Sequence, residues 1–198
     1  MSGVPTQSGE CETLLFPHLT KAMLRLRLSM TFWYSLRLHG AHFPLTMIVI
    51  ESLKPEDAMT LKDLRLRALR DTPTAFSSTY EKEAALSDQD WRDRAIQWSA
   101  GRAITYLARD DGDTCGIVGA FRDPDDAGRA HLVSMWVAPA YRRRGVGENL
   151  VKAIFDWARR NAIHAVQLLV TSNNDAALRF YQRLGFRLTG KSTPYIND

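Results

Sequence analysis

Cysteines, long apolar runs and, near the N-terminus, acidic residues are all scarce in this sequence. Its two cysteines, Cys11 and Cys115, stand far apart, so a disulfide framework is not expected and a reducing, cytoplasmic location is favoured. Neither cysteine has a histidine at the spacing of a metal site or an activated nucleophile. No acidic residue occurs between Thr13 and Ile50, but arginines interrupt every stretch there that could span a membrane. We therefore expect neither a membrane protein nor a disulfide-rich secreted one.

What the chain does contain is an ordinary globular composition. Of 198 residues, 45% are apolar and 24% are charged, which suffices for one sizeable core and predicts one domain. The net charge of +4 favours acidic ligands. This charge does not distinguish a coenzyme that carries several phosphates from a nucleic acid.

The central stretch combines a strand, a basic turn with two glycines, and a helix. Leu132 to Val137 is typical of a buried strand, and Pro139 ends it because proline cannot donate to a ladder. Beyond the turn, apolar residues recur at helical spacing: Val146, Leu150, Val151, Ile154, Phe155, Trp157 and Ala158. Gly145 and Gly147 let backbone amides at the helix start face an anion, which predicts a pyrophosphate-binding turn; a surface turn with a solvated run of arginines is the alternative. No Gly-Lys-Ser/Thr sequence follows, so a nucleoside triphosphate loop is not expected.

A longer pattern continues from this turn. Arg142-x-x-Gly145-x-Gly147 is followed by Asn174-x-x-Ala177-x-x-Phe180-Tyr181-x-x-x-Gly185-Phe186. With the upstream segment 66–81, it closely resembles the GNAT superfamily of acetyl-CoA-dependent N-acetyltransferases over roughly residues 47–190. The resemblance implies an α/β fold with a mixed, mostly antiparallel sheet of about six strands, flanked by about four helices and splayed between strands four and five.

Local signals place the elements around this pattern. Pro55 with two acids after it opens a helix that extends to about Arg70, and Ser87 caps a second one. The Asp111-Gly112 pair predicts a hairpin between strands over 103–108 and 114–121. Further strands are predicted over 46–52, 164–171 and 186–189, and a helix over 176–184 that Gly185 ends.

The two ends of the chain depart from the family pattern. Residues 1–46 are interpreted as a poorly ordered or atypical extension before an N-acetyltransferase domain over 47–198; a targeting segment is the alternative. At the other end the last strand of the family has no counterpart, because the chain stops at Asp198. The extension fills that place, or a partner subunit does in a homodimer, or the domain is incomplete with an unpaired edge.

The resemblance assigns roles in binding acetyl-CoA, the expected co-substrate. The backbone of Met135 and Val137 would hold the pantetheine arm, and the Val137 amide would face the oxyanion. The residues expected to hold the pyrophosphate, mainly through their amides, are Arg142, Arg143, Arg144, Gly145, Val146 and Gly147. Asn174 would contact the coenzyme arm, although a plain helix cap explains it equally well. No metal is expected.

Catalysis needs an acid for the leaving thiolate and a base for the amine. The family places a tyrosine at Tyr181 to protonate the sulfur, although Tyr181 also has core-like spacing. Glu81 and Glu83 are candidate bases, and His131 and Ser134 lie on or near the active strand. Aromatic residues expected to shape the acceptor pocket, or else to pack in the core, are Phe76, Tyr80 and Trp136.

The predicted function is therefore direct transfer of an acetyl group from acetyl-CoA to a primary amine of a small molecule or protein, without a covalent enzyme intermediate. A related module that binds acyl-CoA without turnover is the first alternative. Nucleic-acid binding through the arginines at 142–144 is the second, but aromatic platforms between them are missing, so no nucleic-acid or membrane partner is expected.

Overall fold

The structure is a computed structural model that describes residues 9–17, 19, 48–99 and 101–195. Its centre is a seven-stranded sheet with the strand order β2 (Val49–Ser52), β3 (Ala103–Asp110), β4 (Asp113–Arg122), β5 (Arg129–Val137), β6 (Ala165–Thr171), β1 (Gly9–Pro17) and β7 (Arg187–Tyr195). Helices cover both faces of the sheet, and a separate apolar cluster lies between the sheet and the helices on each face. The predicted α/β class with a mixed, mostly antiparallel sheet is thereby confirmed. Among the described residues, no helix is both long and apolar enough to cross a membrane; the cytoplasmic location stays a prediction.

One face of the sheet is covered by the helices that follow β2 (Val49–Ser52). They are α1 (Ala58–Asp71), the short α2 (Tyr80–Ala84) and α3 (Asp88–Gln97). The predicted cap of α3 is present, because the Ser87 hydroxyl accepts from the Asp90 amide. The core under these helices includes Leu61, Leu64, Leu69, Trp91, Leu107, Ile117 and Trp136.

Three antiparallel strands form the middle of the sheet: β3 (Ala103–Asp110), β4 (Asp113–Arg122) and β5 (Arg129–Val137). The predicted hairpin joins the first two, and both of its turn residues, Asp111 and Gly112, have positive φ angles, as a type I′ turn requires.

The opposite face is covered by α4 (Val146–Arg160), which leads into β6 (Ala165–Thr171). Next come α5 (Asp175–Arg183) and β7 (Arg187–Tyr195). Strands β5 and β6 are parallel and pair only where 129–131 meet 165–167. Beyond that point they separate, so the splay predicted between the family's fourth and fifth strands lies here.

The first strand, β1 (Gly9–Pro17), lies between β6 and β7 and is antiparallel to both. Leu14 is fully buried, and the Phe16 ring lies 4.6 Å from Phe155 and 5.5 Å from Phe186 between ring centroids. The interpretation of 1–46 as poorly ordered therefore does not apply to residues 9–17, although the boundary at 47 stays a prediction. Among the described residues, β1 also raises the strand number to seven from the expected six or so, and α2 makes five α-helices where about four were predicted.

Candidate active site

The turn between β5 and α4 presents a row of backbone amides to solvent. Arg143 and Gly145 have positive φ angles of 61° and 80°. After Arg142, the first amide that donates to a described residue is that of Asn149, to the Gly145 carbonyl at 3.0 Å. Successive amides without partners among the described residues, at the positive end of a 15-residue helix, are an arrangement that favours anion binding. The geometry therefore suits a pyrophosphate group.

The two glycines of this turn are required for different reasons. Gly145 caps α4 in the left-handed conformation, where a side chain would be strained although the space around it is open. At Gly147 an added Cβ would lie 3.1 Å from the Met135 Cε and 3.2 Å from the Phe180 Cζ. Gly147 thus allows α4 to approach β5 and α5 closely.

The arginines of the turn do not share one environment. Arg142 donates from Nε to the Val137 carbonyl at 2.9 Å, and its Nη2 donates to the Asp71 carboxylate at the end of α1. The indole N–H of Trp136 donates to the same carboxylate at 2.8 Å. Arg142 therefore fastens the turn to α1. Arg143 and Arg144 are exposed, and Arg144 lies over the Tyr141 ring.

A cavity of about 320 Å³ opens where β5 and β6 separate. The described residues that line it come from seven parts of the fold: Cys11 of β1, Arg65 of α1, Ala75 to Ser77 of the segment after α1, Phe121 of β4, His131 to Met135 of β5, Leu168 to Thr171 of β6, and Asn174, Ala177 and Tyr181 at α5. Phe76 thus lies at the cavity, as predicted. Tyr80 and Trp136 do not line it, because the first stacks against Arg70 and the second packs in the core under α1.

The strand edge at this cavity is distorted by a β-bulge. Ser134 has a φ of 55°, and the register between β4 and β5 shifts at this point, since Gly119 pairs with Val133 whereas Ile117 pairs with Trp136. Bulges of this kind are common beside active sites, where they redirect a strand edge. Met135 lines the cavity just after the bulge, and Val137 ends the strand.

Tyr181 and Asn174 meet at the same cavity. Tyr181 is buried, with its ring edge-on to Phe180 and Phe186, and no described residue forms a hydrogen bond with its hydroxyl. Burial raises the pKa of Tyr181 well above that of a free phenol. The phenol therefore keeps its proton throughout the neutral range. Asn174 caps α5 by accepting from the Ala177 amide at 3.1 Å.

The two glutamates that were predicted as candidate bases differ in their burial and in their partners. Glu81 is exposed, whereas the Glu83 side chain is 3% exposed and lies between two arginines. Arg65 donates to it from Nε at 3.0 Å and from Nη2 at 2.9 Å, and Arg94 lies at 3.3 Å. Burial would raise the pKa of Glu83, but the hydrogen bonds and charge of Arg65 outweigh it, and the pKa is lowered. Neither glutamate lines the cavity.

His131 does line the cavity, and a carboxylate orients it. Its Nε2 lies 2.8 Å from the Asp123 Oδ2, and its ring stacks on Phe121 at 4.8 Å between centroids. The Gln167 amide nitrogen lies 3.2 Å from Nδ1. The pKa of Asp123 is lowered, first by the Asp125 amide and then by His131. A carboxylate that accepts from Nε2–H leaves the imidazole lone pair on Nδ1, where it accepts from the Gln167 amide nitrogen.

Sequence patterns gave no role to Arg65, Asp71 or Asp123. One signal was available for Arg65, because it lies on the helical stripe that includes Leu61 and Leu64, where a charge is unexpected. Among the described residues, no group of three or more His, Cys, Asp or Glu side chains is placed to hold a metal ion.

Comparison with known proteins places this geometry in a family. The model of the acetyltransferase (GNAT) family matches residues 65–186. The chain is 34% identical over 120 residues to N-alpha-acetyltransferase RimI of Mycobacterium tuberculosis, covering 58% of this chain and 73% of that protein.

Solved structures agree on the fold. An acetyltransferase of the GNAT family from Streptococcus pneumoniae superimposes with a TM-score of 0.62 and 26% identity, over 73% of this chain and 86% of the other. PaiA N-acetyltransferase from Thermoplasma acidophilum, solved in complex with coenzyme A, gives a TM-score of 0.61 over 75% of this chain and 99% of its own. Its identity of 18% makes it evidence for the fold alone.

Proposed function

The chain belongs to the acetyltransferase (GNAT) family and is an acetyl-CoA-dependent acyltransferase, and we propose that it transfers the acetyl group directly to a primary amine of a small molecule or protein. The observation that carries the proposal is the course of β5. Residues 131–135 of this strand line the cavity, and residues 142–147, shortly after its end, form the amide-rich turn. An extended molecule with a pyrophosphate in the middle and a thioester at one end matches this order.

The strand edge between these two features would hold the pantetheine arm. Beyond residue 131, β5 has no β6 residue paired with it, so backbone groups on that side are available to a ligand. By family resemblance, the backbone of Met135 and Val137 would bind the arm, and the Val137 amide would stabilise the tetrahedral oxyanion. The reaction then needs no covalent enzyme intermediate.

Tyr181 is proposed as the acid. When the tetrahedral intermediate collapses, the carbon–sulfur bond breaks and the thiolate of coenzyme A needs a proton. The support is that Tyr181 lines the cavity, is protonated at neutral pH, and has no competing partner among the described residues. Asn174 lies at the same wall, where its amide could contact the coenzyme arm while its oxygen caps α5.

His131, oriented by Asp123, is the base that the geometry favours. It lines the cavity and carries its lone pair on Nδ1, so it can accept a proton from the attacking ammonium or amine once the acceptor displaces the Gln167 amide. Glu81 and Glu83 stay predictions for this role. Two observations favour His131 over them: Glu81 lies outside the cavity lining, and two arginines occupy the Glu83 carboxylate.

Calorimetric titration of acetyl-CoA into Gly145→Glu tests the proposal. The new carboxylate would lie at the pyrophosphate site, where repulsion at about 4 Å is worth roughly 1–4 kcal/mol, so we expect binding to weaken at least about fivefold. Gly101→Glu is the matched control, because Gly101 has a similar φ of 77° and equally open space. Equal binding by both variants would place the coenzyme elsewhere.

Release of the coenzyme A thiol with an amine panel then tests turnover, and binding without release would identify a module that only binds acyl-CoA.

A further inference from the structure

The ionisable groups of the lining residues include bases but no carboxylate. Among the described lining residues, Arg65 and His131 are the basic ones, and no aspartate or glutamate is present. The Asp123 carboxylate lies behind His131 and is already held by that ring and by the amides of Asp125 and Asp126. A cavity of this kind offers no counter-ion to an acceptor with several positive charges.

Arg65 is held in place by its hydrogen bonds, but not all of its N–H groups have a partner among the described residues. Its Nε and Nη2 form the fork that holds Glu83, and its guanidinium lies 4.5 Å above the centre of the Phe76 ring. Its Nη1 donates to the Ser134 hydroxyl at 3.3 Å, a long hydrogen bond. A guanidinium nitrogen of this type carries two hydrogens, so Nη1 has one more to donate. Arg65 therefore presents a directed N–H group at the wall of the cavity.

The charge of Arg65 is only partly compensated. Glu83 is shared between Arg65 and Arg94, so one carboxylate faces two guanidinium groups. The side chain of Arg65 is 13% exposed, whereas that of Arg94 is 39% exposed. Solvent screens the outer arginine more than the inner one. A residual positive potential is therefore expected at Nη1, beside the hydroxyl groups of Ser77 and Ser134 that also line the cavity.

We propose that the acceptor is a small amine that carries a carboxylate, an amino-acid-like molecule, and that Arg65 Nη1 with the Ser134 hydroxyl binds this carboxylate. The inference rests on the proposed acetyl transfer and specifies its substrate class. A charge-assisted hydrogen bond in a partly buried site supplies both affinity and orientation. A polyamine or an aminoglycoside lacks the anionic group, and a peptide N-terminus carries a neutral amide at the corresponding place.

Pairs of free L-amino acids and the corresponding L-amino acid amides separate these classes, because each pair differs only in the carboxylate. The assay is release of the coenzyme A thiol from acetyl-CoA by the full-length protein. We expect kcat/KM for the best acid to exceed that for its amide at least about tenfold, as loss of a charged hydrogen bond of about 1.5–3 kcal/mol implies. Amides or simple amines that are used as well as the acids would overturn the inference.

A double variant, Arg65→Gln with Glu83→Gln, tests the residue itself. Replacing both partners avoids leaving a buried carboxylate unpaired. We expect the acid-to-amide preference to fall to about one, mainly through KM, with acetyl-CoA binding retained. Arg94→Gln is the matched control, since it removes the other partner of Glu83 outside the cavity, and it should keep the preference. A preference that survives in the double variant would refute the role of Arg65. Failure of acetyl-CoA to bind the wild-type protein would instead refute the proposed function.

Discussion

Replacing Phe16 by alanine tests whether β1 completes the sheet. The Phe16 ring is 6% exposed and packs on Phe155 and Phe186, and it also approaches the backbone of Gly185. Removal of a phenylalanine from such a core costs about 3–5 kcal/mol. With a urea m-value of about 2 kcal/mol/M, the unfolding midpoint should fall by roughly 2 M.

The matched control is Leu15→Ala, one residue away on the same strand. Leu15 is half-buried and pairs with Gln167 and Arg187 on the other face of the sheet, so we expect about 1 kcal/mol or less. Tryptophan fluorescence follows unfolding in both variants. If Phe16→Ala and Leu15→Ala shifted the midpoint equally, β1 would not be packed between β6 and β7 in solution.

A double-mutant cycle makes the same test specific to one contact. Phe16→Leu and Phe155→Leu should show a coupling energy of about 0.5–1.5 kcal/mol, because the ring centroids are 4.6 Å apart.

A protein that begins at Met47 lacks β1 altogether, so the edges of β6 and β7 would be unpaired. We expect it to lose both cooperative unfolding and acetyl-CoA binding.

Two further predictions concern the site. Tyr181→Phe should lower kcat about 100-fold while leaving acetyl-CoA affinity nearly unchanged, since the hydroxyl acts only on the leaving sulfur. Thiol release measures kcat, and calorimetry measures the affinity. An unchanged kcat would assign Tyr181 to packing. Glu83→Gln should reduce the free energy of unfolding at pH 7, and this deficit should shrink as the pH falls below about 4.5. The sign follows from the lowered pKa of Glu83 in the folded state: its ion pairs contribute above the unfolded value of 4.5 and are lost as the carboxylate protonates. A deficit that stays constant down to pH 3 would contradict the ion-pair account.

Elements whose causes are local could be predicted from the sequence. The Ser87 cap, the Asp111-Gly112 hairpin turn and the end of α5 at Gly185 each depend on the backbone preference of one or two residues. The strand, turn and helix around residue 145 were predicted for the same reason, since glycine at a positive φ and the apolar stripe of α4 are both visible in the sequence.

β1 could not be predicted in this way, because its cause lies at the other end of the chain. Cys11 and Leu14 are buried only because β6, β7 and α4 lie around them, more than 130 residues later in sequence. The alternation from Glu10 to Phe16 is short, and the basic residues that follow obscure it. In the structure β1 lies between β6 and β7 and pairs with both of them.

The same reasoning explains which candidate site residues could be proposed from the sequence. Tyr181 and Gly145 belong to a contiguous pattern, whereas Arg65, Asp71 and Asp123 act through partners that folding brings close. Asp71 joins α1 to Arg142 of the amide-rich turn, and Arg65 joins α2 to the bulge at Ser134. Both links connect the acceptor side of the cavity with the strand that would hold the coenzyme. Because each link is an ion pair or charged hydrogen bond on α1, a variant that displaces this helix as a whole, unlike the local double substitution of Arg65 and Glu83, is expected to change acceptor KM and coenzyme affinity in parallel.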